Sequence, residues 1–277
     1  ADDAGEMFST RWNCKGDIRE SDMIIGLTRV RNESLILQDF LDHMSQFVDG
    51  IIGFDDASED DTRLILHNHP RVIDVIHNDV WGNPYYVQAS QRQRLIVAAQ
   101  VFKPTWLFYA DADERFDGDI RSFLKTAKDV DGIRISLFDA YMTPDDNEPY
   151  QKGWPLFNFR KWFGPEKRDI LMIWKNNPAV HISGGGGRAP FVPGNIITKF
   201  YCQHYGKSLS VDHWEKTCRL YMANDYPESF KKKWTERQGK AIHTVSDFHR
   251  PLYPWGEELF RNAVDITYGE SYGTKEK

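Results

Sequence analysis

The chain has 277 residues, 40% of them hydrophobic and 27% charged, enough for one large domain or two small ones around a substantial core. Its formal net charge of −6 argues against a broad nucleic-acid surface, which needs a basic face. No apolar run approaches the roughly eighteen residues of a membrane span.

Residues 1–21 are polar and poorly periodic and read as an N-terminal arm. They lack the basic segment followed by an apolar one that marks a signal peptide, although a leader or anchor removed before Ala1 stays compatible with this start. Met23-Ile24-Ile25-Gly26-Leu27 reads as a buried parallel strand. Leu35, Ile36, Phe40, Leu41, Met44 and Phe47 follow at helical spacing, predicting a helix over Asn32–Phe47 with Asn32 as its N-cap. Val48–Phe54 is the second strand, Thr62–Asn68 a helix and Val72–Ile76 the third strand. Gln88–Val101 is an amphipathic helix that leads through Pro104 into the strand Trp106–Ala110.

Such alternation predicts an α/β fold with a mostly parallel central sheet flanked by helices. Ile133–Phe138 is a further strand, and residues 139–194 turn irregular. Leu171–Trp174 and Ile196–Cys202 are strand candidates, and Val211–Asn224 and Glu228–Lys240 read as C-terminal helices. One domain over residues 22–277 is the simplest organisation. The three cysteines, Cys14, Cys202 and Cys218, are odd in number and widely spaced, which favours a reducing, cytoplasmic setting.

The segment Leu107–Glu114 carries the most chemistry. An apolar run ends in Asp111 and Asp113, which share a face if the strand continues through them. Two converging carboxylates suit a hard divalent cation, Mn²⁺ or Mg²⁺, with a phosphate as co-ligand. Two more loops leave the carboxyl ends of the first two strands, Thr28-Arg29-Val30-Arg31-Asn32-Glu33 and Asp55-Asp56-Ala57-Ser58-Glu59-Asp60-Asp61-Thr62. In a parallel sheet all three open onto one edge, where ligands bind.

These loops in order, an arginine-bearing helix before the Asp-x-Asp, and the late segment Gln203-His204-Tyr205-Gly206-Lys207-Ser208 resemble a family 2-type glycosyltransferase of the GT-A fold. The resemblance covers residues 22–116 and returns at 203–208. It implies transfer of a sugar from a nucleotide-diphosphate sugar, UDP favoured, to a glycan hydroxyl in polysaccharide biosynthesis. It would place Thr28 and Arg31 in the nucleobase pocket, with Asp55 or Asp56 bonding the base. Arg94, in preference to Arg92, would reach the nucleotide. Asp111 would meet the ribose or a metal-bound water, Asp113 would ligate the cation, His204 would be a late metal ligand, and Lys207 would stand near the diphosphate. The resemblance implies residues 22–125 as the nucleotide-sugar half and 126–277 as the acceptor half.

An inverting reaction needs a carboxylate base, for which Asp139 is best positioned, with Asp145, Asp146, Glu166 and Asp169 as alternatives. Gly184-Gly185-Gly186-Gly187-Arg188 reads either as a loop approaching donor phosphates or as a surface turn. Trp154, Phe157, Phe159, Trp162 and Trp174 are a sugar-stacking wall or core. Lys231-Lys232-Lys233 is a solvated helix face or a peripheral contact with an anionic membrane. Other classes stay open: a catalytically inactive nucleotide- or glycan-binding protein of the same fold, or another metal-dependent nucleotide-sugar or phosphoryl-transfer enzyme. An aspartyl phosphoryl-transfer site is disfavoured because Glu114-Arg115 follow Asp113. A nucleotidyltransferase loop is disfavoured because Thr28-Arg29-Val30 has no glycine.

Overall fold

The computed structural model describes residues 23–82, 84–182, 188–223 and 228–266. The N-terminal arm, Cys14, the run Gly184–Gly187 and Asn224 lie outside the described residues. The elements are β1 (Ile24–Val30), α1 (Leu37–Met44), β2 (Gly50–Asp56), α2 (Thr62–Asn68), β3 (Val72–Asn78), α3 (Pro84–Ala99), β4 (Trp106–Tyr109), β5 (Glu114–Asp117) and α4 (Ile120–Thr126). The second half adds β6 (Gly132–Tyr141), β7 (Trp162–Lys175), β8 (Ile196–His204), α5 (Val211–Ala223), α6 (Glu228–Arg237), β9 (Tyr253–Pro254), α7 (Glu257–Arg261) and β10 (Val264–Asp265).

One ten-stranded sheet runs through both halves in the order β3-β2-β1-β4-β7-β6-β8-β5, with β9 and β10 pairing onto β7. The strands β3, β2, β1 and β4 are mutually parallel. Beyond them β7 runs antiparallel to both β4 and β6, and β8 runs parallel to β6. This is the α/β class that the sequence predicts, with a sheet parallel through β3-β2-β1-β4 and mixed beyond.

Alternation along the central strands decides the layering. Ile24 and Val30 of β1 face a core shared with Phe40, Leu41 and Met44 of α1. Ile25 and Leu27, one residue out of phase, face Leu95, Ile96 and Ala99 of α3 on the other side. A sheet buried on both faces leaves its rim as the place for charged groups. Gly53 of β2 lets α2 approach, since a Cβ there would stand 2.8 Å from Leu66 Cδ2.

Three expectations change. The first helix begins at Leu37, because Asn32 takes a left-handed φ of 55° and its Oδ1 accepts from the Glu59 N–H instead of capping. The strand β4 ends at Tyr109, so Asp111–Asp113 form a turn, closed by Glu114 Oε2 accepting from the Asp111 N–H. The irregular stretch contains β7, fourteen residues long; of the two readings of Trp174, wall or core, the core is the one observed. Cys202 and Cys218 are free and buried. Among the described residues, no helix is long and apolar enough to cross a membrane.

Candidate active site

The strand β8 lies between β6 and β5, and its last residue, His204, pairs in register with Asp139 on one side and Glu114 on the other. The Tyr205 N–H, one residue on, donates to the Asp113 carbonyl at 2.8 Å, which ties the end of β8 to the β4–β5 turn. The topology therefore gathers residues far apart in the chain. His204 Nε2 stands 3.3 Å from Asp113 Oδ2, and His204 Nδ1 stands 2.6 Å from Asp139 Oδ1. Gly206 keeps this junction open: a Cβ there would meet Asp113 Oδ2 at 2.6 Å and His204 Nε2 at 3.0 Å.

Charges around the junction are strongly biased. Burial works against a charged His204, but Asp113 first and then Asp139 outweigh it and raise its pKa to about 10. Burial likewise opposes ionised Asp113, yet His204 pulls its pKa down to about 2. Glu33, in the loop after β1, is driven well above the usual carboxylate range by burial and then by Asp113 and Asp111. Crowded acids of this kind favour an added cation among them.

Whether the residues suit a divalent cation can be judged from that geometry. Among the described residues, no three His, Cys, Asp or Glu side chains form a ready-made ligand set. Mg²⁺ and Mn²⁺ do not require one, since one or two protein ligands, waters and substrate phosphates complete the shell. Two neighbouring ligands of an octahedral ion at about 2.1 Å stand about 3 Å apart, close to the Asp113–His204 spacing. Asp139 on Nδ1 supplies the carboxylate–histidine support that presents Nε2 to a metal. The pair fits.

The other sequence candidates fall as follows. Asp111 has partners of its own: its Oδ1 accepts from the Tyr109 hydroxyl at 2.9 Å, and its Oδ2 pairs with Arg188 at 3.0 Å. Asp139 is held by Arg168 at 2.5 Å and Lys207 at 3.2 Å as well as by His204. Burial opposes its charge, but Arg168, Lys207 and His204 hold it well below the usual carboxylate range, which differs from what a general base needs. Lys207 is buried, and its ammonium is committed to Asp247 at 2.7 Å, Tyr141 Oη at 3.0 Å and Asp139.

At the end of β1 and β2, Thr28, Asp55 and Asp56 are each fully buried. Asp55 accepts from Arg63 at 2.8 Å and from the Ser58 N–H at 3.2 Å. Asp56 accepts from Arg29 at 2.5 Å, Gln91 at 2.7 Å and Asn78 at 2.9 Å. Arg31 donates to the Asp56 carbonyl at 2.8 Å and lies 4.2 Å over the Trp81 ring, an aromatic platform at the sheet edge. Trp81, the loop residues Ser58 and Asp60, and Arg63 of α2 line part of a cavity of about 750 Å³.

Arg94 is exposed at this end and bonds Asn78 at 3.3 Å. Arg92, two residues earlier, is buried and donates to the Tyr109 hydroxyl at 3.0 Å, through which it reaches Asp111. Arg92 is therefore the arginine of α3 that approaches the acid turn. Trp154, Phe157 and Phe159 line a second cavity of about 670 Å³ with Asp145, Asp146 and Asn158, and the Asn158 N–H bonds Gln203 beside His204.

The sequence pattern alone gives no role to Glu33 or Tyr109, and it sets Arg168 only among the charges interleaved with the aromatic run and Arg188 only at the end of the glycine run. Glu33 and Arg188 were visible at the ends of two singled-out segments. Tyr109 carried no local signal.

No protein-family model matches the chain. Two uncharacterized proteins, from Mycobacterium bovis and Mycobacterium tuberculosis, are each 29% identical over 177 residues, covering 62% of this chain and 42% of theirs. The match thus spans less than half the length of these curated relatives. Among solved structures, the chain is similar to glucosyl-3-phosphoglycerate synthase from M. tuberculosis in complex with Mn²⁺, UDP and glucosyl-3-phosphoglycerate. That likeness has 17% identity and a TM-score of 0.31, and it covers 43% of this chain and 44% of the other. It is also similar to S. aureus TarS 1-349 in complex with UDP, with 11% identity, a TM-score of 0.35 and coverage of 78% and 71%. HddC from Yersinia pseudotuberculosis has 14% identity, a TM-score of 0.36 and coverage of 72% and 99%. Likenesses this distant do not assign an activity.

Proposed function

We propose that the chain is a metal-dependent glycosyltransferase that moves a sugar from a nucleotide-diphosphate sugar, a UDP-sugar foremost, to a glycan hydroxyl. The observation that carries this reading is the 3.3 Å approach of Asp113 to His204, with Asp111 in the same turn and Glu33 within electrostatic reach. It lies at the rim reached by the carboxyl ends of β1 and β4, where open α/β sheets bind ligands.

A cation at this site would neutralise charge building on the leaving diphosphate. Asp113 and His204 would hold it, and Asp139 would fix the imidazole so that Nε2 faces it. Lys207 and Arg168 in turn hold Asp139 as an anion, which makes Asp139 a positioning residue in this proposal. Inversion would therefore rely on another carboxylate for the acceptor proton. Arg31 and Trp81, beside the buried Thr28, Asp55 and Asp56, would frame the nucleobase, and Arg94 would close the edge of that frame. The cleft beside Trp154 and Phe157 would receive the acceptor. In this reading residues 22–125 serve the donor and 126–277 the acceptor, in a cytoplasmic setting, with peripheral membrane contact through Lys231–Lys233 as an addition.

The test is thermal shift with nucleoside diphosphates and Mn²⁺, followed by release of UDP from a panel of UDP-sugars. Mn²⁺-dependent stabilisation by UDP, abolished in Asp113→Ala, is expected. If no nucleoside diphosphate binds with either Mn²⁺ or Mg²⁺, the proposal fails.

A further inference from the structure

The acid turn already holds an internal cation. Arg188 pairs with Asp111 Oδ2 at 3.0 Å and donates through Nη1 and Nη2 to the two oxygens of Glu114, at 2.7 Å for Nη2–Oε2. Glu114 is fully buried and the Arg188 side chain is 13% exposed, whereas Asp111 is 32% exposed. The pair Arg188–Glu114 is thus fixed inside, and Asp111 is the part that faces out.

Two further features separate this arginine from an ordinary structural ion pair. The first is donor capacity: Arg188 Nε and Arg92 Nη1 are both buried without a hydrogen-bond partner among the described residues. Arg92 approaches the same aspartate through Tyr109. Two guanidinium groups therefore flank Asp111, each with an N–H to offer, and such unmet donors are costly to keep unless something answers them. The second is the state of Lys207, the residue the sequence suggested for the diphosphate, whose ammonium is already committed to Asp139, Tyr141 and Asp247.

Charge balance connects these facts. Arg92 and Arg188 balance Asp111 and Glu114. A divalent cation drawn to Asp111 and Asp113 would leave the guanidinium groups in excess, and an incoming diphosphate would supply the matching negative charge. An arginine fork is well shaped for phosphate oxygens.

We infer that Arg188, resting on the site proposed above, is a diphosphate-binding residue stored on Asp111 in the metal-free protein, where it competes with the divalent cation. Once a cation engages Asp111, rotation of the Arg188 side chain offers its freed N–H groups to the diphosphate while Glu114 keeps hold of the rest. Arg188 thus has opposite effects on its two ligands, opposing the bare metal and favouring the metal–diphosphate pair.

The test measures calorimetric affinity for Mn²⁺ alone, and for UDP at saturating Mn²⁺, in the wild type, Arg188→Gln and Arg188→Lys. Because Arg188→Gln leaves buried Glu114 unpaired, the double variant Glu114→Gln/Arg188→Gln is measured beside it. Expected for both glutamine variants is Mn²⁺ binding at least about threefold tighter and UDP binding at least about tenfold weaker, with Arg188→Lys recovering part of the UDP affinity. An arginine with a purely structural task would shift both affinities the same way or neither, and either result overturns the inference. Wild-type protein that binds no UDP with Mn²⁺ overturns the glycosyltransferase proposal itself. Normal wild-type binding with unchanged UDP affinity in the glutamine variants overturns the role of Arg188 alone.

Discussion

Replacing Asp139 by Asn separates the two tasks this carboxylate can have. The substitution keeps the shape but removes an anion that faces Arg168 at 2.5 Å, His204 Nδ1 at 2.6 Å and Lys207 at 3.2 Å. Breaking a buried ion pair from one side typically costs about 3–5 kcal/mol. Here the lower end applies, because Asp139 is 15% exposed and Lys207 keeps Asp247 at 2.7 Å. The second effect falls on the metal. Loss of a carboxylate that orients a ligating histidine typically lowers metal affinity by about 10- to 100-fold, or about 1.4–2.8 kcal/mol. The His204 pKa should fall from about 10 toward its ordinary value, since Asp139 is among the groups that raise it. Calorimetry of Mn²⁺ with UDP, together with an NMR titration of His204, reads both effects. If Asp139→Asn bound Mn²⁺ and UDP as tightly as wild type and lost only turnover, Asp139 would be the general base and the reasoning would be refuted.

Gly206→Ala places a Cβ 2.6 Å from Asp113 Oδ2, against an ordinary contact of about 3.4 Å or more, at a backbone position without left-handed strain. It should cost about 1–3 kcal/mol in chemical denaturation. Mn²⁺ affinity should fall as Asp113 is pushed from His204; unchanged Mn²⁺ affinity would count against the site. His204 gives a pH prediction: its folded pKa of about 10 exceeds the ordinary 6.5, so its stabilising contribution is full below pH 6.5 and is lost as pH rises to about 10. In chelator, stability should drop by at most about 1.4 kcal/mol per pH unit across that window. The slope should flatten in His204→Gln, and equal slopes would refute the coupling. Arg31→Ala removes the stack on Trp81 and the bond to the Asp56 carbonyl, so UDP affinity should drop about fivefold or more while affinity for Mn²⁺ alone stays unchanged. Equal loss of both would place Arg31 outside a nucleoside pocket.

The parallel half of the sheet was legible because β1, β2 and β4 are apolar on both faces and α1 carries its apolar stripe. The predicted Thr62–Asn68 coincides with α2. The strand β7 was hidden because Pro165 and the run Lys167-Arg168-Asp169 interrupt its apolar pattern. Those polar residues read as loop, yet Arg168 reaches Asp139 and Asp169 accepts from Ser136 Oγ at 2.6 Å. Which of Arg92 and Arg94 faces the acid turn was not legible for a related reason. Two residues along a helix point to opposite sides, and only the packing of α3 on Tyr109 decides which side is inward. The junction of Asp113 with His204 was suggested by a resemblance, since no local pattern can show that β8 ends beside the β4–β5 turn.

The central claim is that one cation, held by Asp113 and His204, grips a diphosphate. Pulsed electron paramagnetic resonance of Mn²⁺ bound with UDP tests it directly. The account predicts ¹⁴N coupling from an imidazole together with ³¹P coupling from the diphosphate, with the nitrogen signal lost in His204→Ala. A spectrum with phosphorus coupling but no nitrogen in the wild type, or one unchanged by His204→Ala, would contradict it.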